Sequence, residues 1–511
     1  MLTKPIIINN WQGGIADSPY EGLIAAYSKM VGLDYRSYPG ALQVERPMEQ
    51  VSEVSGSDAV IGGPIKWFIN ISPTEIYAFS DDDAGNVAKV YRSLNTGGTW
   101  SLFQTLGSAD SPCSANGAIF WKGYFLFCSD SYLGYYKPGG SPEWVLNWKS
   151  IQSDIDWHPM LQGQRDGSLY IGASQYIALL SEVAEQTFDP ANSATYSFNN
   201  QALDIPSDFR VKSLAETGPY LMLGCWKRVG SNHFPVAVLY PWNYVLRPLS
   251  HEAPLFKNKV LGVNAQLNID NVLYAWLGSH GEVFEWNGAK FNRLKRIPYD
   301  TSSTGAIDIY PGAVKEFLNM PHFGIINSLT FITGGVYNLG TTDVRRYPLS
   351  LCDPYPLSPG NNKNYDLWSL GVCGVADNIL LAGWYCGTDS KYGIDKLNIV
   401  SRLATGAYFE TMLLRVGTAR EKAKIDQFEI YLDIPIESGQ AIDIKYRTNT
   451  SGSWTTVKTA GKTYTFSYDD DGAVSQIYLP FNINNLVNIQ FKVEFTAGGN
   501  ATPILMEIRV Q

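Results

Sequence analysis

A weak repeat of about fifty residues limits the folds open to this chain more than any other feature. An apolar run recurs seven times, and a second strand-like run follows most copies after a polar turn. The marker residues are Tyr77, Phe125, Tyr170, Leu221, Tyr274, Thr330 and Leu380, spaced 48, 45, 51, 53, 56 and 50 residues apart. Repeats of about 40–50 residues with several strands each are typical of a β-propeller, whose blades bury their faces against one another. The sequence therefore predicts an all-β protein with about seven four-stranded blades.

Composition supports this fold class and excludes some functions. The 511 residues include 47 Gly, 27 Pro and 13% aromatic residues, which favours short strands and tight turns over helices. A helix-like pattern is limited to residues 22–31 and to one further turn at Val314–Leu318. The net charge is −9, and a general nucleic-acid binder needs clustered Lys and Arg, so no sequence-specific nucleic-acid partner is predicted. No apolar run approaches the ~18–20 residues that span a bilayer, so no membrane insertion is predicted.

The chain divides into three predicted parts. Residues 1–54 form an N-terminal arm, residues 55–408 the propeller, and residues 409–511 a small C-terminal domain. In the last part about eight segments alternate between apolar and polar residues, most clearly in Gln427–Ile434, which predicts a jelly-roll or fibronectin-like β-sandwich. One strand of the arm, for which we take Ala41–Val44, is expected to close the ring by joining the last blade.

One turn of the first repeat resembles the Asp-box, S-x-D-x-G-x-T-W. Its residues are Ser93, Asn95, Gly97, Thr99 and Trp100, with Asn95 in the position of the aspartate. Asp-boxes lie between the third and fourth strands of propeller blades, where a short polar side chain caps the turn and the tryptophan packs between blades. We interpret this turn as structural rather than catalytic.

Catalytic signatures are not evident in the sequence. It has no G-x-S-x-G elbow, no H-E-x-x-H and no G-x-G-x-x-G after a strand. A sialidase would need converging arginines, for which Arg210, Arg293 and Arg345 are available, together with a Tyr–Glu pair and an acid Asp. The sequence does not bring these groups together. We therefore expect a protein that is not an enzyme, with no catalytic, cofactor-binding or metal-binding residues.

The cysteines, histidines and acidic runs suggest no metal site. The six cysteines form no C-x-x-C pair, so buried reduced thiols are predicted. The five histidines show no ligand spacing. The acidic runs Asp81–Asp83 and Asp469–Asp471 lack the ligand spacing of an EF-hand, so we interpret them as solvated turns.

The arm contains the most recognisable motifs of the chain. Asn10–Pro19 contains W-x-G-G-I, and Gly32–Leu42 contains D-x-R-x-x-P-G. These segments resemble the opening of tailed-bacteriophage structural proteins that continue as a β-propeller, and the C-terminal part, closing with Pro503–Ile508, is similar to the small β-sandwich that ends many of them. The resemblance carries over no catalytic residues.

The resemblance implies a structural component of the virion, most simply a ring-forming tail nozzle, adaptor or tail-tip subunit. Its partners would be other copies of itself and neighbouring tail or neck proteins. The N-terminus shows no signal peptide, so assembly in the host cytoplasm is expected. Exposed aromatic residues in Phe188–Phe198 and Pro354–Tyr365 are predicted to supply subunit contacts.

Two alternatives remain open at the level of sequence. One is a host-attachment protein that binds a receptor or surface glycan through Trp and Tyr platforms, on one propeller face or on the sandwich. The other is a sialidase-like glycosidase.

Overall fold

The structure is a computed structural model of the chain. It describes residues 5–11, 13–16, 26–35, 40–51, 61–81, 87–107, 113–140, 144–154, 156–229, 232–245, 256–258, 262–278, 281–286, 288, 291–296, 308–326, 335–340, 350–358, 365–459, 462–463 and 465–511. Almost all regular structure in these residues is β-strand, and no helix among them is long and apolar enough to cross a membrane.

The N-terminal arm consists of short strands that pair with distant parts of the chain. They are β1 (Ile6–Ile8), β2 (Gly14–Ile15), β3 (Ala26–Val31), β4 (Leu33–Asp34), β5 (Gln43–Val44) and β6 (Met48–Gln50).

Seven four-stranded antiparallel sheets follow, and they are the blades of a propeller. Blades 1 to 3 consist of β7 (Ile65–Asn70), β8 (Ile76–Ser80), β9 (Ala88–Ser93), β10 (Ser101–Leu106); β11 (Gly117–Trp121), β12 (Tyr124–Cys128), β13 (Tyr132–Tyr136), β14 (Val145–Ser150); and β15 (Met160–Gln162), β16 (Leu169–Ala173), β17 (Tyr176–Glu182), β18 (Tyr196–Asp204). Blades 4 and 5 consist of β19 (Phe209–Thr217), β20 (Tyr220–Val229), β21 (Asn232–Trp242), β22 (Phe256–Asn258); and β23 (Val263–Ile269), β24 (Val272–Leu277), β25 (Glu282–Trp286), β26 (Phe291–Arg296). Blades 6 and 7 consist of β27 (Val314–Phe317), β28 (Met320–Phe323), β29 (Gly335–Gly340), β30 (Ser350–Pro356); and β31 (Tyr365–Cys373), β32 (Ile379–Cys386), β33 (Lys391–Leu397) together with β6.

The first strand of each blade is the innermost, and the seven inner strands form a closed ring. β7 contacts β11, β11 contacts β15, and the series continues through β19, β23, β27 and β31 back to β7. The predicted all-β propeller of about seven blades is therefore confirmed.

The repeat identified in the sequence corresponds to the second strand of the blades. Six of the seven marker residues lie in β8, β12, β16, β20, β24 and β32. All five residues of β8, β12 and β16 are buried, which explains why these strands are continuous apolar runs. The sixth marker, Thr330, is misplaced, since the second strand of blade 6 is β28. That strand contains Pro321 and His322 and is a weaker apolar run than the segment around Thr330, which lies outside the described residues.

The arm closes the ring, although with a later strand than predicted. β6 pairs antiparallel with β33, with Gln50 opposite Asp395. The predicted closing segment Ala41–Val44 instead lies in β5 and beside it, where β5 pairs with β4 and Leu42 bridges to Leu505. Leu42 and Val44 are fully buried in the core that the arm shares with the C-terminal strands, and this burial directs them away from the blade.

Part of the longer segment with a helix-like pattern is also a strand. Ala26–Val31 forms β3, which pairs antiparallel with a strand of the C-terminal region. The long-range pairing overrides the local helical pattern.

The C-terminal strands form two large sheets and one of two strands. The elements are β34 (Ala407–Thr411), β35 (Leu414–Arg415), β36 (Ala423–Leu432), β37 (Ala441–Arg447), β38 (Thr455–Thr456), β39 (Lys458–Thr459), β40 (Lys462–Thr463), β41 (Thr465–Ser467), α1 (Tyr468–Asp471), β42 (Gln476–Leu486), β43 (Asn488–Thr496) and β44 (Leu505–Val510). Sheet A has the order β1-β44-β36-β42, and sheet B has the order β2-β3-β34-β43-β37-β38. Apart from these two large sheets, β39 and β40 pair with each other.

The two sheets share one hydrophobic core. Phe428 of sheet A and Phe491 of sheet B are both fully buried, and their ring centroids lie 4.8 Å apart. Both sheets take strands from the N-terminal arm, so they are not built from residues 409–511 alone. The narrower assignment to a jelly-roll or fibronectin-like sandwich stays a prediction.

Candidate functional site

The alternating strand directions give the propeller two ends with different connections. The chain enters each blade at one end, which we call the entry face. The turns between first and second strands and between third and fourth strands lie at the opposite end. We call this end the exit face because each first strand runs towards it; the chain also leaves blades 1 to 6 at the entry face. In blade 1 the exit-face turns are residues 71–75 and 94–100.

At the entry face, side chains from several blades meet on the propeller axis. The Nζ atoms of Lys66 and Lys212 lie 5.6 and 5.9 Å from the centroid of a Trp157 ring. The rings of Trp157 and Tyr310 have centroids 4.5 Å apart, and those of Tyr310 and Trp368 4.3 Å apart. We call these five residues the axial cluster. They come from blades 1, 3, 4, 6 and 7, so the cluster ties together blades from around the ring.

The positive charges of the axial cluster are paired. Lys66 forms a salt bridge with Asp81, and Nζ of Lys212 lies 3.0 Å from Oδ2 of Asp308. The Lys212 side chain is only 4% exposed. A buried ammonium group is tolerated only with a paired charge and hydrogen bonds, and Asp308 together with Oδ1 of Asn264 supplies them to Lys212.

The axial cluster is packed as a plug. A Cβ atom added to Gly312 would lie 2.2 Å from the carbonyl oxygen of Lys66, so the 3-10 turn Pro311–Ala313 is pressed against the inner strand of blade 1. Burial, followed by the nearby Asp308, raises the pKa of Tyr310, which keeps its phenol protonated at neutral pH.

The arginines considered for a sialidase site do not converge where they are described. Arg210 lies on the inner strand of blade 4 and donates to the carbonyl oxygens of Ser207 and Phe209 at 2.7 and 2.8 Å. Arg293 lies on the outermost strand of blade 5 and pairs with Glu282 at 3.2 Å. The third, Arg345, lies outside the described residues. In the part of the chain that the structure covers, no group of three or more His, Cys, Asp or Glu side chains is placed to hold a metal ion.

The Asp-box-like turn lies between the third and fourth strands of blade 1, on the exit face. Oδ1 of Asn95 accepts a hydrogen bond from the backbone N–H of Thr99 at 2.8 Å, and Oγ of Ser93 accepts one from the N–H of Gly97 at 3.0 Å. Nε1 of Trp100 donates to the carbonyl oxygen of Gly97 at 3.2 Å. The five residues thus form one local hydrogen-bonded unit.

This turn also contributes to the contact between blades 7 and 1. Gly97 has a φ of +72°, and a Cβ atom there would lie 2.7 Å from Cδ2 of Leu381 in blade 7. Trp100 is buried, and its ring centroid lies 5.9 Å from that of Phe68 on the inner strand of blade 1. Glycine is required at this position both for its φ and for the close approach of the neighbouring blade.

The exit face carries exposed apolar side chains on its turns. Among the described residues thirteen large apolar side chains are exposed, and seven of them lie on this face. They are Leu94, Val183, Val245, Leu318, Val375, Ile399 and Val400, exposed by between 38% and 77%. Single exposed apolar residues are common on protein surfaces, whereas their concentration on one face indicates an interaction surface.

Four of these residues surround the boundary between blades 7 and 1. The turns that carry Leu94 and Val375 are both joined to the turn of residues 71–75, by hydrogen bonds of 3.0 Å from Thr96 N to the Thr74 carbonyl oxygen and from Gly374 N to the Pro73 carbonyl oxygen. A cleft of about 330 Å³ opens beside them and is bordered by Gly98. We call Leu94, Val375, Ile399 and Val400, together with this cleft, the seam patch.

The backbone of the exit face is strained at an exposed leucine. Leu318 and Asn319 have φ values of +52° and +58°, in the left-handed region that Gly and Asn usually occupy in such turns. The Leu318 side chain is 59% exposed, so its burial within this chain does not compensate for the conformational free energy that the positive φ costs. Strained residues of this kind often occur where a surface is used for binding.

The structure corrects the predicted aromatic contact segments. Phe188 and Tyr196 are buried between blades 2 and 3, and the ring centroid of Phe188 lies 4.6 Å from that of Trp121. Tyr355 and Tyr365 are buried as well. These aromatic residues pack blades together, and the exposed large apolar residues of the exit face are instead aliphatic side chains on turns.

Sequence reasoning missed the seam patch because no periodic pattern marks it. The signal that could have revealed it was an aliphatic residue flanked by turn-forming residues, as in Ser93-Leu94-Asn95 and Gly374-Val375-Ala376-Asp377.

The cysteines agree with the sequence-based expectation where their side chains are described. Cys113, Cys128, Cys225, Cys373 and Cys386 are free and buried.

Comparisons with known proteins give no family assignment. No family model matches the chain, and no curated protein matches it. Among solved structures, an exo-β-1,3-galactanase from Phanerochaete chrysosporium aligns over 91% of this chain and 100% of its own, with 10% identity and a TM-score of 0.31. A PL25 ulvan lyase aligns over 69% of this chain and 95% of its own, with 8% identity and a TM-score of 0.43. BBS1N, solved in complex with ARL6DN, aligns over 69% and 98%, with 12% identity and a TM-score of 0.40.

These comparisons correct one prediction. Two of the three structures are enzymes that act on polysaccharides, so the prediction that this chain is not an enzyme is contradicted, and we withdraw it. Similarity at these TM-scores assigns no activity to the chain.

Proposed function

We propose that the chain is a structural component of a bacteriophage tail. In this role it docks other copies of itself through the exit face of its propeller. The seam patch is the observation on which the proposal depends. It places exposed aliphatic side chains beside a cleft, on turns that are fixed by hydrogen bonds. The virion context comes from the resemblance of the arm motifs and rests on those motifs alone.

The arm supports a building role because it ties distant parts of the chain together. β6 completes blade 7, β1 pairs with β44, and β3 pairs with β34. Trp11 of the first arm motif is 2% exposed and packs against Phe409, with ring centroids 6.0 Å apart. Asp34 of the second motif is buried and accepts a hydrogen bond from Gln43 at 3.4 Å. The described residues of these motifs thus serve packing, as expected in a subunit that must keep its shape under load.

Self-association of the purified chain tests the docking surface. The wild-type chain is expected to form a discrete oligomer in analytical ultracentrifugation, and Val375→Glu with Val400→Glu should shift it to monomer, since an apolar contact does not accept two carboxylates. The matched control is Ile434→Glu, at an exposed isoleucine away from the propeller, which should leave the oligomer intact. A wild-type chain that stays monomeric at every concentration contradicts the proposal.

The virion context requires a separate experiment. Immunogold labelling of tailed particles, released from cells that carry the gene, should place the chain on the tail. Label that is missing from the particles would refute the tail role while leaving the docking surface in place.

A further inference from the structure

Sheet A turns one face to the core and the other to solvent. Phe428, Ile430 and Ile508 point inward and are buried, so the residues between them point outward. The strand register places the outward side chains in two neighbouring rows across β44, β36 and β42. The rows are Arg509, Glu429, Tyr478 and Glu507, Tyr431, Gln476.

A buried carboxylate organises this surface. Glu429 is only 5% exposed although its strand faces solvent here. Its Oε1 accepts hydrogen bonds from the Nε2 atoms of Gln427 and Gln511 at 2.7 and 2.8 Å, and its Oε2 accepts one from the Tyr431 hydroxyl at 2.6 Å. Three donors on one carboxylate hold all four side chains in fixed positions.

The two tyrosines of this surface differ in exposure. The Arg509 guanidinium lies 4.7 Å from the centroid of the Tyr431 ring, and its Nη1 donates to the Tyr431 hydroxyl at 3.2 Å. Tyr478 is 58% exposed, and its hydroxyl accepts a hydrogen bond from Nε2 of Gln476 at 2.7 Å. Tyr431 therefore supports the arginine, whereas the Tyr478 ring is open to a ligand.

The chemistry of the surface fits a sugar better than a protein. A pyranose ring has an apolar C–H face that stacks on an aromatic ring and hydroxyls at its edge that bond to amides, carboxylates and guanidinium groups. The two rows offer one open ring among such groups. The exposed apolar residues here are Tyr478 and, on the adjoining strand, Ile7, which is too little for the apolar centre of a protein interface.

The charge of the surface narrows the ligand class. Glu429 and Glu507 outnumber Arg509 in the two rows, so an anionic sugar would be repelled. We propose that the outer face of sheet A binds a neutral glycan, with Tyr478 stacking on a sugar ring and with Gln476 and Arg509 bonding to its hydroxyls. The inference does not depend on the tail role.

Affinity electrophoresis of the full chain tests this site. Native gels would contain dextran, laminarin or galactomannan as neutral polysaccharides, or alginate as an anionic one. We expect at least one neutral polysaccharide to slow the chain and alginate to have no effect. Tyr478→Ala should raise the dissociation constant obtained from the retardation about two- to tenfold, because the sugar ring loses the aromatic face on which it stacks. Gln476→Ala should also weaken it.

The matched control is Tyr468→Ala, which removes a 39% exposed tyrosine from α1, outside the two rows, and should leave retardation unchanged. The site is refuted if no neutral polysaccharide slows the chain, or if Tyr468→Ala and Tyr478→Ala act equally. It is also refuted if Tyr478→Ala dissociates an oligomer of the chain without changing the retardation by neutral polysaccharide. That result would show that the outer face of sheet A forms a protein contact. Unchanged retardation in the seam-patch variants separates this site from the proposed docking surface.

Discussion

Asp395 is a carboxylate that the fold removes from water. It lies on β33 in blade 7, is 0% exposed, and accepts hydrogen bonds of 2.7 Å from the backbone N–H and the hydroxyl of Ser358 and from Nε1 of Trp384. Burial raises its pKa to about 6, although these three donors act in the opposite direction. The folded state therefore binds a proton on Asp395 more tightly than the unfolded state does.

This raised pKa predicts a loss of stability with rising pH. The free energy of unfolding should be highest below about pH 4, where both states hold the proton, and should fall between about pH 4 and 6. The expected loss is on the order of 2–3 kcal/mol and is complete above about pH 6. Asp395→Asn should remove this pH-dependent part, since an amide does not titrate in this range. Urea unfolding of both proteins from pH 4 to 7 measures the difference, and parallel curves would contradict the prediction.

At the same scale, local contacts were visible in the sequence and distant ones were not. The Asp-box-like turn could be recognised because its hydrogen bonds join residues at most four positions apart, and Asn95 replaces the aspartate by using Oδ1 as the acceptor. Asp395 and Ser358 are separated by 37 residues, and no sequence pattern joins them. The same holds for the outward rows of sheet A, whose strands are far apart in the chain.

At the scale of elements, β6 shows how a short strand from the arm stabilises the ring. It leaves blade 7 without an exposed edge at β33, which would otherwise be open to pairing with other chains. Met48 at its start is 1% exposed and belongs to the hydrophobic core of blades 6 and 7. The sequence predicted that an arm strand closes the ring, but the choice between β5 and β6 depended on tertiary burial of Leu42 and Val44.

Met48→Ala should therefore destabilise the chain by about 2–4 kcal/mol, the usual cost of removing a buried methionine side chain. Chemical unfolding measures the loss. Glu49→Ala, on the exposed side of the same strand, is the control and should change stability by less than about 0.5 kcal/mol. Equal effects of the two substitutions would show that the strand does not anchor the blade through Met48.

At the scale of the whole molecule, the repeat predicted the number of blades but not what lies between them. The second strands of blades 1 to 3 are buried on both faces, and six of the seven second strands leave an apolar run in the sequence, so blades could be counted. The axial cluster draws one residue from each of five blades, and isolated residues of this kind form no pattern. The seam patch escaped prediction for the same reason.

Lys212 is the residue through which the axial cluster can be tested. Its ammonium group lies 5.9, 5.5 and 5.8 Å from the ring centroids of Trp157, Trp226 and Tyr310, and it is paired with Asp308. Lys212→Ala removes a buried side chain and opens space among three rings, so it should lower the free energy of unfolding by about 2–5 kcal/mol. Lys212→Met keeps most of the packing and should cost clearly less, because Asp308 is 32% exposed and water can solvate it.

Thermal and urea unfolding of the two Lys212 variants test whether the axial cluster joins the blades into one cooperative unit. If the cluster joins the blades into one unit, the Lys212→Ala protein should still unfold in a single transition, at a lower midpoint, because blades that share the plug lose it together. A second transition, with only part of the fluorescence change at the lower midpoint, would mean that blades 4 and 5 unfold apart from the rest. The ring of inner strands would then hold the propeller together without the plug.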